Sequence, residues 1–308
     1  MRPSGRRLAG AVLCAASLAA SAIVPAAAQV IATEYEGAAA LGLALRQLGT
    51  TKRVLMIAAH PDDEATQVLS ALALGQGAEV AYLSLTRGEG GQNGIGPELQ
   101  EGLGLLRSGE LLAARGLDGA RQFFTRAIDY GFSKNAEEAF RNWPREELLR
   151  DVVAVVRYFR PDVIVSVFTG TPVDGHGQHQ AAGIIATEAF AAAADPERFP
   201  DQIAAGLRPH AAVHLYQLLR DDQAGPIVSL ETGEMDPLLG RSHFQVAMAS
   251  RSRHRSQDMG RELTPGPQTT RLVLVESRGS GVLNGGSSGG QQVGAGPGGA
   301  IAPGAGGF

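Results

Sequence analysis

The chain of 308 residues contains a single cysteine, Cys14, which excludes a disulfide framework and any thiolate metal cage from the body of the protein. A bound metal must then be held by imidazole and carboxylate groups. Concentrated positive charge is also missing: 27 Lys and Arg stand against 31 Asp and Glu, a formal charge of -4. Phosphate-backbone binding runs on clustered Lys and Arg, so nucleic acid is not an expected partner. No repeat of solenoid or propeller period is present. Glycine is abundant, 41 residues against 16 prolines, but without the G-X-Y period that collagen requires. What remains is a chain with 44% apolar residues, enough to bury a large core.

Three regions differ in character. Residues 1–28 read as a secretory leader: Arg2, Arg6 and Arg7 precede an apolar run from Leu8 to Val24 and the small residues Ala26-Ala27-Ala28. The run is alanine-rich and marginal for a membrane span, so the expectation is a cleaved leader, no stable span afterwards, and a periplasmic or extracellular location. Residues 29–278 form the expected folded body. Residues 279–308 hold 13 glycines and no charged side chain, a composition that cannot offset its ordering entropy by burial.

Within the body, short continuous apolar runs at Arg53–Ala59, Glu79–Leu85 and Asp162–Phe168 have the pattern of strands buried on both faces. Helical spacing of apolar residues over 64–75, 98–115 (closed by Gly116), 144–158 and 179–194 places helices between them, with a further strand over 122–128. Later elements are expected at 212–218, 244–259 and 270–275. The alternation predicts an α/β fold, a Rossmann-like, mainly parallel sheet flanked by helices.

Two polar clusters follow buried strands, where open α/β sheets bind ligands. The first is Ala59-His60-Pro61-Asp62-Asp63-Glu64. A turn there can bring His60 and Asp63 to one metal and leave Asp62 free to take a proton from activated water. The same residues also suit a plain turn feeding acidic groups to a helix N-terminus. The second cluster, Asp174-Gly175-His176-Gly177-Gln178-His179, enters a helix. His179 can complete a set of two histidines and one carboxylate with an open coordination position. His176 can then face a reacting carbonyl as acid or oxyanion stabiliser.

The run AHPDDE at 59–64, the Arg107/Glu110 pair, His176 with His179, and HRSQ at 254–257 resemble the PIG-L/LmbE-like family of zinc-dependent N-acetylglucosaminyl deacetylases, most closely its exported bacterial branch. The resemblance implies a deacetylase fold with Zn2+ on His60, Asp63 and His179, although Fe2+ suits the same ligand types. It further implies Asp62 as general base, His176 assisting at the tetrahedral intermediate, and an amino-sugar conjugate as substrate. Some relatives carry tyrosine two residues before the assisting histidine; Asp174 stands there in this chain.

Arg107 and Asp129 are candidates for sugar-hydroxyl contact. The alternatives are an i,i+3 ion pair of Arg107 with Glu110 and a turn at Asp129. The glycine-rich stretch 87–94 lacks the G-x-x-x-x-G-K-[ST] pattern of a phosphate loop and reads as a mobile rim. Trp143 reads as a packing residue. Two other functions use the same residues: a non-haem Fe(II) oxygenase built on two histidines and a carboxylate, or a sugar- or metal-binding module without turnover. Oligomeric state carries no signal in the sequence.

Overall fold

The structure, a computed structural model, describes residues 34–220, 223–259 and 264–279. The expected leader, Cys14 and the glycine-rich tail beyond Gly279 lie outside the described residues.

Five parallel strands, β1 (Arg53–Ala58), β2 (Glu79–Ser84), β3 (Arg121–Phe124), β4 (Val163–Ser166) and β5 (His214–Leu218), stand in the order β3-β2-β1-β4-β5. Val54, Leu55, Met56, Ile57 and Ala58 of β1 are all buried, as a central strand covered on both faces requires. Two antiparallel strands extend the sheet beyond β5: β9 (Thr269–Ser277) lies beside it, and β6 (Ile227–Glu231) lies beyond β9. A small hairpin, β7 (Met235–Asp236) with β8 (Arg241–Ser242), stands apart.

The helices are α1 (Gly37–Gln47), α2 (Thr66–Ser70, continued by a π-helical turn over Ala71–Gly75), α3 (Glu101–Asp118), α4 (Ala136–Asn142), α5 (Arg145–Phe159), α6 (Gly177–Ala192), α7 (Pro200–Ala204) and α8 (His243–Arg251). They pack in two groups, α2 with α3 and α8, and α6 with α4 and α5. No helix among the described residues is long and apolar enough to cross a membrane.

Several boundaries differ from expectation for identifiable reasons. Helix α3 passes through Gly116 and stops at Gly119, whose φ of 79° is left-handed and whose N–H returns to Arg115 O. Strand β3 ends at Phe124, since Arg126 N–H already bonds to Asp151, which frees residues 127–133 to form a loop at the sheet's carboxyl edge. Helix α8 ends at Arg251, eight residues early, and a 3-10 turn (Arg255–Gln257) follows. That interruption places His254 inside the protein.

Candidate metal centre and active site

The connections run from β1 outward to β2 and β3 on one side, and from β4 to β5 on the other, so the order reverses between the neighbours β1 and β4. A crevice forms at such a reversal, beyond the carboxyl ends of the two strands. The two polar clusters follow those strands. His60 closes β1, and the loop after β4 delivers His176 and His179 at the start of α6.

The structure brings these residues together. His60, His176 and His179 each present a ring nitrogen within 4.8 Å of the others, the histidine cluster among the described residues that could hold a metal. The Asp63 carboxylate lies between two of them, with Oδ2 3.3 Å from His60 Nδ1 and Oδ1 3.3 Å from His179 Nε2. Two ligand atoms about 2.1 Å from a tetrahedral ion stand about 3.4 Å apart, so these spacings fit donors sharing one ion. His176 belongs to the same cluster, its ring 3.7 Å from that of His179. The site therefore offers three imidazoles and a carboxylate, one donor more than the set expected from the sequence.

Ring orientation supports the fit. His179 Nδ1 contacts the Asp174 carbonyl at 3.1 Å, so this nitrogen carries the proton and Nε2 keeps its lone pair. Phe168 stacks on the same ring at 4.0 Å. His176 Nδ1 contacts Gln178 Oε1 at 3.0 Å. That atom is fixed as the oxygen because it also accepts from Ser133 N–H. Gln178 is fully buried, and its Nε2 donates to Gly131 O. His176 is thus a donor at Nδ1 and a lone-pair nitrogen at Nε2.

Asp62 stands beside the cluster in an unusual backbone conformation, φ 95°. Its N–H donates to Glu64 Oε2 at 2.9 Å and its Oδ1 lies 3.1 Å from an Arg107 Nη2. Burial, then the adjacent Asp63 charge, push the Asp62 carboxyl up to about 6, while Arg107 and His60 pull the other way. Burial acts on Asp63 in the same upward sense, but contacts with His179 and His60 overcome it and hold this carboxyl far below the usual range. For His60, burial acts downward and is outweighed by Asp63, then Asp129 and Asp62, which raise its pKa. His176 is lowered by burial and by the charges of His179 and His60. Two adjacent carboxylates are thereby driven apart, Asp63 ionised and Asp62 near neutrality, the division that separates a ligand from a base.

Arg107 occupies a different place from the sugar contact expected. It is 3% exposed and donates to Pro61 O at 2.5 Å and Gly88 O at 3.2 Å as well as pairing with Asp62. It holds Asp62 in place, because the face of α3 that carries it packs against the loop after β1. Its i,i+3 pair with Glu110 does not form either: Glu110 accepts from Ser256 N–H and Oγ–H, both at 2.7 Å. Asp129 is buried with Oδ1 3.8 Å from His60 Nε2 and its N–H on Glu89, which makes it a neighbour of the imidazole. Trp143 is a packing residue, buried 6.5 Å from the His60 ring with its indole N–H on Ile128 O.

The glycine-rich rim is anchored. Gly94 N–H bonds to Ser256 O at 2.8 Å, and Gln257 Nε2 donates to Gln92 O at 2.8 Å. The departure at Asp174 is structural: its carboxylate accepts from the N–H groups of Thr169, Gly170 and Thr171 at 2.7–3.2 Å and closes that turn. Its carbonyl aims His179. The HRSQ segment of the family resemblance reaches the site from the far end of the chain, together with Arg251, which no motif marks. Arg251 donates to Asp62 O at 3.4 Å, and His254 Nε2 lies 2.7 Å from Glu64 Oε1. His210, His214 and His243, which have no metal spacing in the sequence, lie outside the cluster.

Comparison with known proteins follows the same segment. Residues 55–190 match the PIG-L family, described as GlcNAc-PI de-N-acetylase. A 1D-myo-inositol 2-acetamido-2-deoxy-alpha-D-glucopyranoside deacetylase of Geodermatophilus obscurus is 34% identical over 169 residues, 49% of this chain and 57% of that protein. A diacetylchitobiose deacetylase of Thermococcus kodakarensis is 30% identical over 162 residues, 52% of this chain and 57% of the relative. The chain thus spans a little over half the length of these relatives. In fold it is similar to an N,N'-diacetylchitobiose deacetylase from Pyrococcus horikoshii solved with its inhibitor MPG, with a TM-score of 0.53 at 21% identity over 69% of this chain and 73% of that one. The matched segment carries both polar clusters, and it is through this segment that the chain is similar to the PIG-L/LmbE-like family.

Proposed function

We propose that the protein is a zinc-dependent deacetylase that removes the acetyl group from an N-acetylated amino sugar or its conjugate. The observation that carries this reading is the pairing of a histidine-carboxylate cluster with a second carboxylate, Asp62, that stands beside it on Arg107. Two relatives named for different sugars share a 2-acetamido group, which makes that group the common denominator of the substrate. The leader expected at 1–28 supports an exported enzyme.

His60, Asp63 and His179 would hold the ion, with His176 at its side. When bound, zinc supplies Lewis acidity and activates water at neutral pH. The chain's own residues do the rest. Asp62, with Oδ1 restrained by Arg107, takes the proton of the attacking water on its carboxylate and passes it toward the departing amine. His176 can take up a proton at Nε2 and donate it to the negative oxygen of the tetrahedral species. Gln178 Oε1 accepts from Nδ1 in either charge state, so the ring keeps its place through that change. A cavity of about 290 Å3 beside Asp129, lined by Arg87, Glu89, Leu105, Ser108 and Ile128, offers room for the remainder of the substrate.

The test is metal content of the purified protein together with amine release from N-acetylglucosamine, N,N'-diacetylchitobiose and glycosides of N-acetylglucosamine. The zinc-loaded protein is expected to release amine, and Asp62→Asn to lose roughly 10²-fold or more in kcat while retaining its zinc. Undiminished activity in Asp62→Asn would remove the base from the mechanism.

A further inference from the structure

We infer that His254 is a positioning residue for Asp62, acting through Glu64, and that residues 250–257 clamp the loop carrying the base. The inference rests on the reading of Asp62 as that base. The clamp comes from outside residues 55–190, the segment that the family model matches.

Asp62 holds φ at 95°, a conformation that a side-chain-bearing residue keeps only where its surroundings over-determine it. Three groups do so. Glu64 Oε2 takes its N–H at 2.9 Å, Arg107 flanks its Oδ1 at 3.1 Å, and Arg251 reaches its carbonyl at 3.4 Å. Glu64 is the pivot, because its orientation decides whether Oε2 meets the Asp62 N–H. Its other oxygen is fixed by His254 Nε2 at 2.7 Å and Arg115 Nη2 at 3.1 Å. Arg115 is held in turn by Asp118, with two contacts at 3.1 Å and one at 2.6 Å, and Asp118 receives the Ser250 hydroxyl at 2.7 Å.

Ser250 and His254 thus grip both ends of one buried network whose outlet is the Asp62 amide. His254 is fully buried, and its Nδ1 has no hydrogen-bond partner. Among the described residues, the ring's single polar contact is the one to Glu64. A histidine serving only to fill the core would leave no reason for that carboxylate to be oriented toward the base. In the same segment, Ser256 holds Glu110 and Gly94, and Gln257 holds Gln92. The motif HRSQ therefore acts as one strap, three of its side chains each fastening a different wall of the site.

The experiment uses the full-length, zinc-loaded protein and the variants His254→Leu, which keeps volume without a donor, and His254→Gln, which keeps a donor. Deuterium uptake over residues 60–64 is expected to quicken about tenfold or more in His254→Leu, with no change over 53–58. His254→Gln should return uptake to within about threefold of the parent. Arg251→Met, at a half-exposed position, loosens the same peptide in the same direction and serves if His254→Leu does not fold. In amine release, kcat of His254→Leu falls about 10- to 100-fold with KM and zinc content near those of the parent. In an Asp62→Asn background the same change has no further effect. Unchanged uptake over 60–64, or losses that simply multiply in the double variant, would overturn the inference. Full activity of Asp62→Asn alone would instead remove the base assignment, and the uptake result would still decide the clamp.

Discussion

Gly183→Ala sets two physical effects against each other with opposite signs. Gly183 lies within α6, one turn beyond His179, and glycine is about 1 kcal/mol worse than alanine inside a helix. Propensity alone therefore predicts stabilisation. Packing predicts the reverse, because a Cβ at this position would lie 2.2 Å from Gly170 N, 2.7 Å from Gly170 Cα and 2.8 Å from Thr169 C. Those atoms are backbone and have no rotamer to yield. Ordinary contact begins near 3.4 Å, so α6 and the 169–171 turn must separate by about 1 Å. Overpacking costs about 1–3 kcal/mol, and a clash with backbone on all three contacts puts this site in the upper part of that range, about 2–3 kcal/mol, leaving a net loss of roughly 1–2 kcal/mol after the helical gain. For a domain of this size that is a fall of about 2–8 °C in Tm. The same displacement moves His179 away from Asp63, and shifts of about 1 Å at a reacting centre cost about 10²-fold. Thermal unfolding and competition for zinc against a chromophoric chelator read the two consequences. A variant as stable as the parent, with equal zinc affinity, would refute the steric reasoning and show that α6 is free to slide.

Two further outcomes follow from the charges around the base. Asp62 must be ionised to accept a proton, so kcat/KM is expected to rise with pH through a limb at or below about 6, since bound zinc adds positive charge to the neighbourhood. Arg107 lowers that pKa; Arg107→Gln should therefore move the limb to higher pH, whereas Arg107→Lys should leave it nearly in place, and a limb moving to lower pH would contradict the assignment. Gln178→Leu removes the acceptor of His176 Nδ1 and strands Ser133 N–H. A loss of about 10- to 100-fold in activity or zinc affinity is expected, and values within twofold of the parent would show that this amide does not orient the ring.

The parallel half of the sheet and the two polar clusters that meet at its reversal were legible in the sequence because their signals are local. A strand buried on both faces is an unbroken apolar run, as in Val54–Ala58, and His60 with Asp63 or His176 with His179 are neighbours in the chain. Strand β6 was not legible, since it lies half-exposed at the sheet edge and alternates too weakly to show. Helix α1 escaped notice within an alanine-rich stretch close to the expected leader. The HRSQ motif marked its segment, but the pairings around the site were not legible: Glu64 meets His254, Glu110 meets Ser256, and Asp62 meets Arg251 across separations of 146 to 190 residues. No spacing rule connects residues so far apart. The same blindness explains Arg107, whose helical position was clear but whose direction, under the base loop, depends on how α3 packs.

The placement of β9 has a consequence for how the molecule is made. Among the described strands, β6 has one neighbour, β9, which also covers the free edge of β5. As the chain emerges from the ribosome, β6 is complete at Glu231 and must wait until Ser277 has appeared before it can join the sheet. Throughout that interval two strand edges stay open, the kind of surface that recruits other chains. The nascent protein is thus most vulnerable to aggregation late in its synthesis, and a chaperone would matter most there. Strand β9 acts as the seal, and a break in the chain between 258 and 269 would leave a polypeptide with its site residues but an open sheet.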